Sequence, residues 1–391
     1  MAAIPITQLV LEGRKVLVRC DFNVPLDNGR ITDAIRIDAS LETIRHILSH
    51  NGAPVLCSHL GRPKERTPEL SLKPVAEYLT GALGKKVALT PDCIGDITGR
   101  MITDLAPGNA LLLENLRFHP EEEANDRDFA HELARGKAAY VNDAFGTAHR
   151  AHASTVGVTR FIRERAAGFL MLRELEALRA VTENPAHPYI AILGGAKVSD
   201  KIGVIRNLVS KVDAILIGGA MAYTFLKARG MPIGKSRVEE DKLDLARELE
   251  ALAQSHNVGF LLPIDHVVAA APEATAIAET VTDIPPGMMG LDIGPRTIAE
   301  FVDRIATAKT IVWNGPLGFF ELPAFASGTL KVGEAIANLA GATTLLGGGD
   351  TAAAVAGQPW VGKFTHISTG GGATLEYLEG LELPGVKALE A

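Results

Sequence analysis

Between Tyr189 and Leu378 the chain repeats one local design four times: a β-branched or leucine-rich run, a cluster of glycines, then a helix-like stretch. The copies are Tyr189–Lys201 (YIAILGGAKVSDK), Ala214–Leu226 (AILIGGAMAYTFL), Thr343–Ala356 (TTLLGGGDTAAAVA) and Thr365–Leu378 (THISTGGGATLEYL). Strand, tight turn and helix in that order form the unit of a parallel α/β sheet, which excludes most other folds for this half. The turn also aims backbone N–H groups and the positive end of a helix dipole at one point. Phosphate binds there, and glycine lets it come close to the backbone. One such turn can be plain helix–strand packing. Four in one half-chain point to a phosphate-rich ligand, first of all a nucleotide.

The first half ends its strands differently, in polar and basic residues. Val16–Cys20 runs into Asp21-Phe22-Asn23, and Pro54–Ser58 into His59-Leu60-Gly61-Arg62. Ala110–Leu113 leads to Glu114-Asn115-Leu116-Arg117, and Ala138–Val141 to Asn142-Asp143 and on to His149-Arg150. Carboxyl ends of parallel strands share one edge, where ligands bind, so Asp21, Asn23, His59, Arg62, Arg117 and Arg150 can converge. Arginine and histidine gathered at one edge suit a small polyanion such as a phosphorylated acid. Any one of these arginines alone could equally be a surface ion pair; the set at four strand ends favours a binding site. His149 is read as structural, and Trp313 and Trp360 as packing residues.

With 391 residues, 47% hydrophobic and 22% charged, two domains are expected. The net charge of −7 and the lack of a basic stripe argue against nucleic acid as a partner. Cys20, Cys57 and Cys93 are odd in number and widely spaced, and read as buried thiols in a reducing compartment. No zinc-ligand spacing is evident. The start, MAAIPITQLVLEGRK, has no basic region ahead of a long apolar run, and no stretch approaches a membrane span. A cytoplasmic protein with no membrane partner is expected.

The seam between halves falls near Arg163–Pro185. There Phe169, Leu172, Leu175 and Leu178 recur at helical spacing and Asn184-Pro185 ends the run, so a packing helix or a hinge is expected. Gly230–Ser236 (GMPIGKS) has three residues between its glycines where a P-loop needs four, and is read as a helix stop and turn. Gly347–Ala352 matches a loose dinucleotide fingerprint, but no acidic residue ends the next strand, which disfavours a nicotinamide cofactor.

The segments VLVRCDFNVPL, SHLGRP, LLLENLRF, VNDAFGTAHR, LGGAKVSDK, VWNGPLGFFE, LLGGGDTAAA and STGGGATLEYLEG, in this order, resemble those of the phosphoglycerate kinases over essentially the whole chain. The resemblance implies two doubly wound parallel-sheet, Rossmann-like α/β domains joined by a helix, with a cleft between them. Residues 1–170 would bind 3-phosphoglycerate or 1,3-bisphosphoglycerate. Residues 171–372 would bind ADP or ATP with Mg2+, and residues 373–391 would pack back on the first domain. The implied phosphoglycerate ligands are Asp21, Asn23, Arg36, His59, Arg62, Arg117 and Arg150. The implied nucleotide ligands are Lys201, Glu321 (holding the ribose), Gly348, Gly349, Asp350 and Thr351, with Asp350 on the magnesium ion. Arg36, Lys197 and Gly372 are the implied catalytic residues, Lys197 reaching the phosphoryl group in flight. The implied reaction is reversible phosphoryl transfer from 1,3-bisphosphoglycerate to ADP in glycolysis, in line and with domain closure, by a monomer acting on small molecules. Both nucleophiles, a phosphate oxygen and a carboxylate, are ionised at neutral pH, so positioning and charge neutralisation suffice. A nicotinamide-dependent dehydrogenase and a non-catalytic two-domain anion-binding protein remain the alternatives.

Overall fold

The structure, a computed structural model, describes residues 3–390. The chain divides into two units, one holding the residues up to Leu175 together with the segment from Glu382, the other Glu176–Leu381.

In the first unit six parallel strands stand in the order Val87–Leu89, Ala110–Leu112, Ala53–Cys57, Lys15–Arg19, Ala139–Asn142, Arg165–Ala167. The inner strands are buried along nearly their whole length, as the near-continuous apolar runs VLV, APVLC and AYV require of a sheet covered on both faces. On one face Val16, Val18, Leu56 and Val141 pack with Ile37 and Ile44 of the helix Ile35–Ser49 and with Val75 and Leu79 of the helix Lys73–Leu83. The chain starts at the centre, builds one side and then crosses to the other. The order therefore reverses between Lys15–Arg19 and Ala139–Asn142, and the carboxyl ends splay apart there into a crevice.

The second unit repeats the plan. Its six parallel strands stand in the order Gly259–Leu261, Ala214–Ile217, Tyr189–Leu193, Thr310–Asn314, Thr343–Gly347, His366–Ile367, and reverse between Tyr189–Leu193 and Thr310–Asn314. A three-stranded antiparallel sheet of Glu279–Val281, His266–Ala269 and Met289–Ile293 is inserted ahead of the fourth strand. Trp313 and Trp360 are both buried in the core with Phe301, Val332 and Ile336. Three of the repeated segments form strand, turn and helix; in the first, the helix starts only at Ile202, just past the segment, and leaves Lys201 as its cap residue.

The helix expected at the seam spans Phe169–Thr182. Asp143, at the end of its strand, caps it by accepting from the Leu170 and Met171 N–H groups at 2.9 and 3.3 Å. The division falls inside this helix, five residues beyond the expected 170/171 border, because its first turn is tied to the first sheet. The C-terminal return also differs from expectation. Residues 373–381 stay with the second unit, where Asn207 Nδ2 donates to Leu378 O at 2.8 Å. The return starts at Glu382: Gly385 N–H donates to Ala148 O at 2.8 Å, Arg165 Nη2 to Glu390 O at 2.9 Å, and Leu389 is buried. Gly230 and Gly234 lie at positive φ in a turn after the helix Ala222–Ala228, so GMPIGKS is a helix stop. Among the described residues no helix is long and apolar enough to cross a membrane.

Candidate functional site

The crevice of the first unit is lined with cations. Arg19 ends the central strand with its side chain wholly buried, a position where a charge survives only if its donors are used. Its Nε donates to Ser154 Oγ at 2.7 Å, Nη1 to Cys20 O, and Nη2 lies 3.3 Å from His59 Nδ1. A guanidinium can only donate, so His59 Nδ1 accepts and its proton sits on Nε2. Burial, followed by Arg19, Arg117, Arg150 and Arg36, pushes the His59 pKa well below the ordinary value. His59 is therefore neutral at pH 7 and offers one N–H donor amid four guanidinium groups.

Arg36, half-buried on the first turn of its helix, donates to Asp21 Oδ2 and to Asn23 O, both at 3.2 Å. Asn23 Oδ1 accepts from Gly61 N–H at 2.9 Å, and Gly61 O accepts from Arg117 Nη1 at 2.8 Å. Arg117 Nη2 also pairs with Glu123 at 3.0 Å. Burial lowers the Arg117 pKa, and Arg150, Arg19 and Arg62 add repulsion. Arg150 Nε donates to His149 Nε2 at 3.1 Å. Asp21, Asn23, Arg36, His59, Arg62, Arg117 and Arg150 are thus brought into one polar cluster. Unmet positive charge at a carboxyl edge fits a small anion of several charges.

Two residues of this cluster were not anticipated. Arg19 carries its own sequence signal, a charge inside an apolar strand run. Glu122 does not: its carboxylate, fully buried, accepts from Ser154 N–H at 2.9 Å and completes a chain from Arg19 through Ser154. Burial raises the Glu122 pKa while Arg19 draws it down.

The second unit holds a cavity of 640 Å³ at its own switch point. Gly194, Gly195 and Lys197 form one wall, Asn314–Pro316 the floor, and Gly348–Thr351 with Gly371 and Gly372 the other wall. Where the first wall meets the floor no side chain can be added: a Cβ on Gly194 would meet Pro316 O, and Gly315 lies at φ +100° against Gly194. Thr351 Oγ1 accepts from Gly315 N–H at 2.7 Å and ties two turns together. Lys201, buried, donates from Nζ to Asn314 Oδ1. Burial lowers its pKa, against which Asp200, Glu379 and Asp350 hold the charged form. Lys197 and Asp350 are exposed at the cavity lip.

Of the expected nucleotide residues, Lys201, Gly348, Gly349, Asp350 and Thr351 line this cavity, as do Lys197 and Gly372. Glu321 does not; it is exposed in the loop after Phe320. The second glycine copy is also outside the lining. Gly219 instead packs on Gly195, whose backbone N would be 2.6 Å from a Cβ there. Asn314, Asp200, Glu376 and Glu379 line the cavity without having been singled out.

The sequence pattern of the family described as phosphoglycerate kinase matches residues 6–381. A phosphoglycerate kinase of Anaeromyxobacter dehalogenans is 55% identical over the whole of both chains. That of Koribacter versatilis is 55% identical over all of this chain and 99% of its own. A solved phosphoglycerate kinase from Coxiella burnetii superposes with a TM-score of 0.91 at 40% identity, covering 99% of this chain and 98% of that one. One from Pyrococcus horikoshii gives 0.86 at 32% with the same coverage. Neither a nicotinamide-dependent dehydrogenase nor a non-catalytic anion-binding protein is supported by these matches.

Proposed function

The chain belongs to the phosphoglycerate kinase family, and on that premise we propose how its own residues carry the phosphoryl transfer between 1,3-bisphosphoglycerate and ADP. The observation that supports the reading is the pairing of an arginine-lined crevice in one unit with a glycine-floored, lysine-bearing cavity in the other. The phosphoglycerate binds to Asp21, Asn23, Arg36, His59, Arg62, Arg117 and Arg150. The nucleotide phosphates bind to Lys201 and the Gly348–Thr351 turn. Glu321 remains the assigned ribose ligand, which requires its loop to approach the nucleotide.

Asp350 suits Mg2+, which takes one or two carboxylates plus phosphate oxygens, and it stands at the lip beside two lysines. Asp350 would hold that ion, which would supply neutralisation of the nucleotide's phosphate charge. Lys197 and Arg36 offset the charge of the group in transit, and Gly372 offers its backbone N–H. No residue need take a proton, because the attacking oxygen is already an anion. Transfer requires reacting atoms about 3–3.5 Å apart, so the two units close on their bound ligands. Contraction in small-angle scattering only with both ligands present checks that step. The protein acts as a monomer in the cytoplasm, on small molecules and not on nucleic acid.

The deciding experiment is turnover of ATP with 3-phosphoglycerate, trapping the acyl phosphate with hydroxylamine. Folded protein that makes no hydroxamate overturns the reading.

A further inference from the structure

A cluster away from both cavities gathers three different metal-binding atoms. Asp92 and Cys93 sit in the loop after the edge strand Val87–Leu89, and His119 follows the turn Leu116–Phe118. One ligand atom of each lies within 4.8 Å of the other two. His119 Nε2 is 2.7 Å from Asp92 Oδ1, and the Cys93 thiol also hydrogen-bonds to Asp92.

The surroundings fix these atoms in place. Asp92 O accepts from the hydroxyls of Thr90 and Thr98, both at 2.7 Å, which pins the main chain on which Asp92 and Cys93 sit. Arg66 Nη1 holds the outer oxygen, Asp92 Oδ2, at 3.3 Å and leaves Oδ1 facing the cluster. The His119 ring leans on Phe129, centroids 5.3 Å apart. Cys93 is buried, while the Asp92 and His119 side chains are 34% and 25% exposed, so a solvated ion has a way in.

We propose that Asp92 Oδ1, Cys93 Sγ and His119 Nε2 form a binding site for Zn2+, with water in the fourth position. Tetrahedral Zn2+ with bonds near 2.0–2.3 Å sets its ligand atoms about 3.3–3.8 Å apart, so the Asp92–His119 contact opens by less than about 1 Å. As the Zn–S and Zn–N bonds form, the thiol proton and the Nε2 proton that His119 donates to Asp92 Oδ1 both leave to solvent. The imidazole stays neutral with its proton on Nδ1, taken up from solvent where the metal-free ring lacks it. One thiolate, one carboxylate and a neutral imidazole then balance the charge of the ion. The mixed sulfur, nitrogen and oxygen set selects zinc over Mg2+, which prefers oxygen alone. Because His119 lies two residues after Arg117, the ion ties the loop bearing that arginine to the loop after the edge strand.

Co2+ serves as the spectroscopic probe, titrated into the full-length, nucleotide-free protein. The expected result is one equivalent bound, with a thiolate-to-cobalt absorption band that Zn2+ abolishes by displacement. Cys93→Ser removes the band and weakens Zn2+ by more than about 100-fold, beyond the loss a supporting residue gives. Cys20→Ser and Cys57→Ser leave the band unchanged. Asp92→Asn provides a second variant that keeps the thiol, and it weakens binding while the band persists at saturating Co2+. Wild-type protein without the band overturns the site, as does a band that survives in folded Cys93→Ser; the trio is then only hydrogen-bonded.

Discussion

Lys201 Nζ donates to the side-chain oxygen of Asn314 across the switch point of the second sheet, and the Asn314 amide nitrogen is left without a partner among the described residues. Both residues are buried in the lining of one cavity. The lysine therefore sets which way the amide faces, and its own charge stays at the cavity floor. Among the described residues Lys197 makes no comparable bond, and it stands exposed at the lip.

From that contrast the two lysines should separate kinetically. Lys201→Met should raise KM for ATP with a smaller change in kcat. Lys197→Ala should lower kcat far more than either KM, by about 100-fold to 1000-fold if a cation near 4 Å contributes roughly 4 kcal/mol. Steady-state kinetics in both directions checks this; a raised KM at constant kcat for Lys197→Ala would make that lysine a binding residue.

Arg36→Ala should weaken 3-phosphoglycerate by about 10-fold to 150-fold, the range for a hydrogen bond to a charged group, and leave ADP affinity unchanged. Calorimetric titration of each ligand alone measures both. Equal losses would reject separate sites.

Burial holds the carboxyls of Asp143 and Asp292 up at about 7. The unfolded chain releases these protons near pH 4, so the folded state binds more protons in between. Their stabilising contribution is complete below about pH 4 and is lost as pH rises through 7. Asp143→Asn keeps an acceptor for the Leu170 and Met171 N–H groups and has no proton to lose. Urea unfolding from pH 4 to 7 should show Asp143→Asn gaining on the wild type by about 1–4 kcal/mol. A parallel pair of curves would mean the carboxyl is ionised throughout.

Glu122→Ala should cost about 3–5 kcal/mol of stability by leaving Arg19 buried without its anionic counterpart. Ser154 links the two, so Glu122→Ala and Ser154→Ala should be less than additive in denaturant unfolding.

The parallel α/β class and the grouping of polar strand ends in one half and glycine turns in the other were legible because parallel strands carry their ligands at one edge, whereas the strand order was not. Asp21 and Arg150 follow adjacent central strands, so apolar runs ending in polar residues were enough to group them. The glycine turns needed tertiary context, since Gly194 and Gly219 have the same local pattern yet only Gly194 lines the cavity. Glu122 was illegible because it reads as one of three surface glutamates in a first helical turn, and only packing buries it. Asp92, Cys93 and His119 escaped for another reason: 26 residues separate the last two, and only the pairing of Val87–Leu89 with Ala110–Leu112 brings their loops together. The return of the chain was legible only through the family, and its start at Glu382 depended on Asn207 holding the preceding helix.

The segment from Glu382 to Glu390 completes a unit whose other residues all precede Glu176. During synthesis the ribosome makes the entire second unit before releasing the piece that covers Ala148 and Arg165. The first unit therefore emerges unfinished and waits some two hundred codons for its last contacts. The second unit, contiguous from Glu176 to Leu381, reaches its full contact set earlier, although it begins later. Vectorial folding should thus run against the order of the sequence, and a nascent chain stalled before Glu382 should show a protease-resistant second unit beside a sensitive first one.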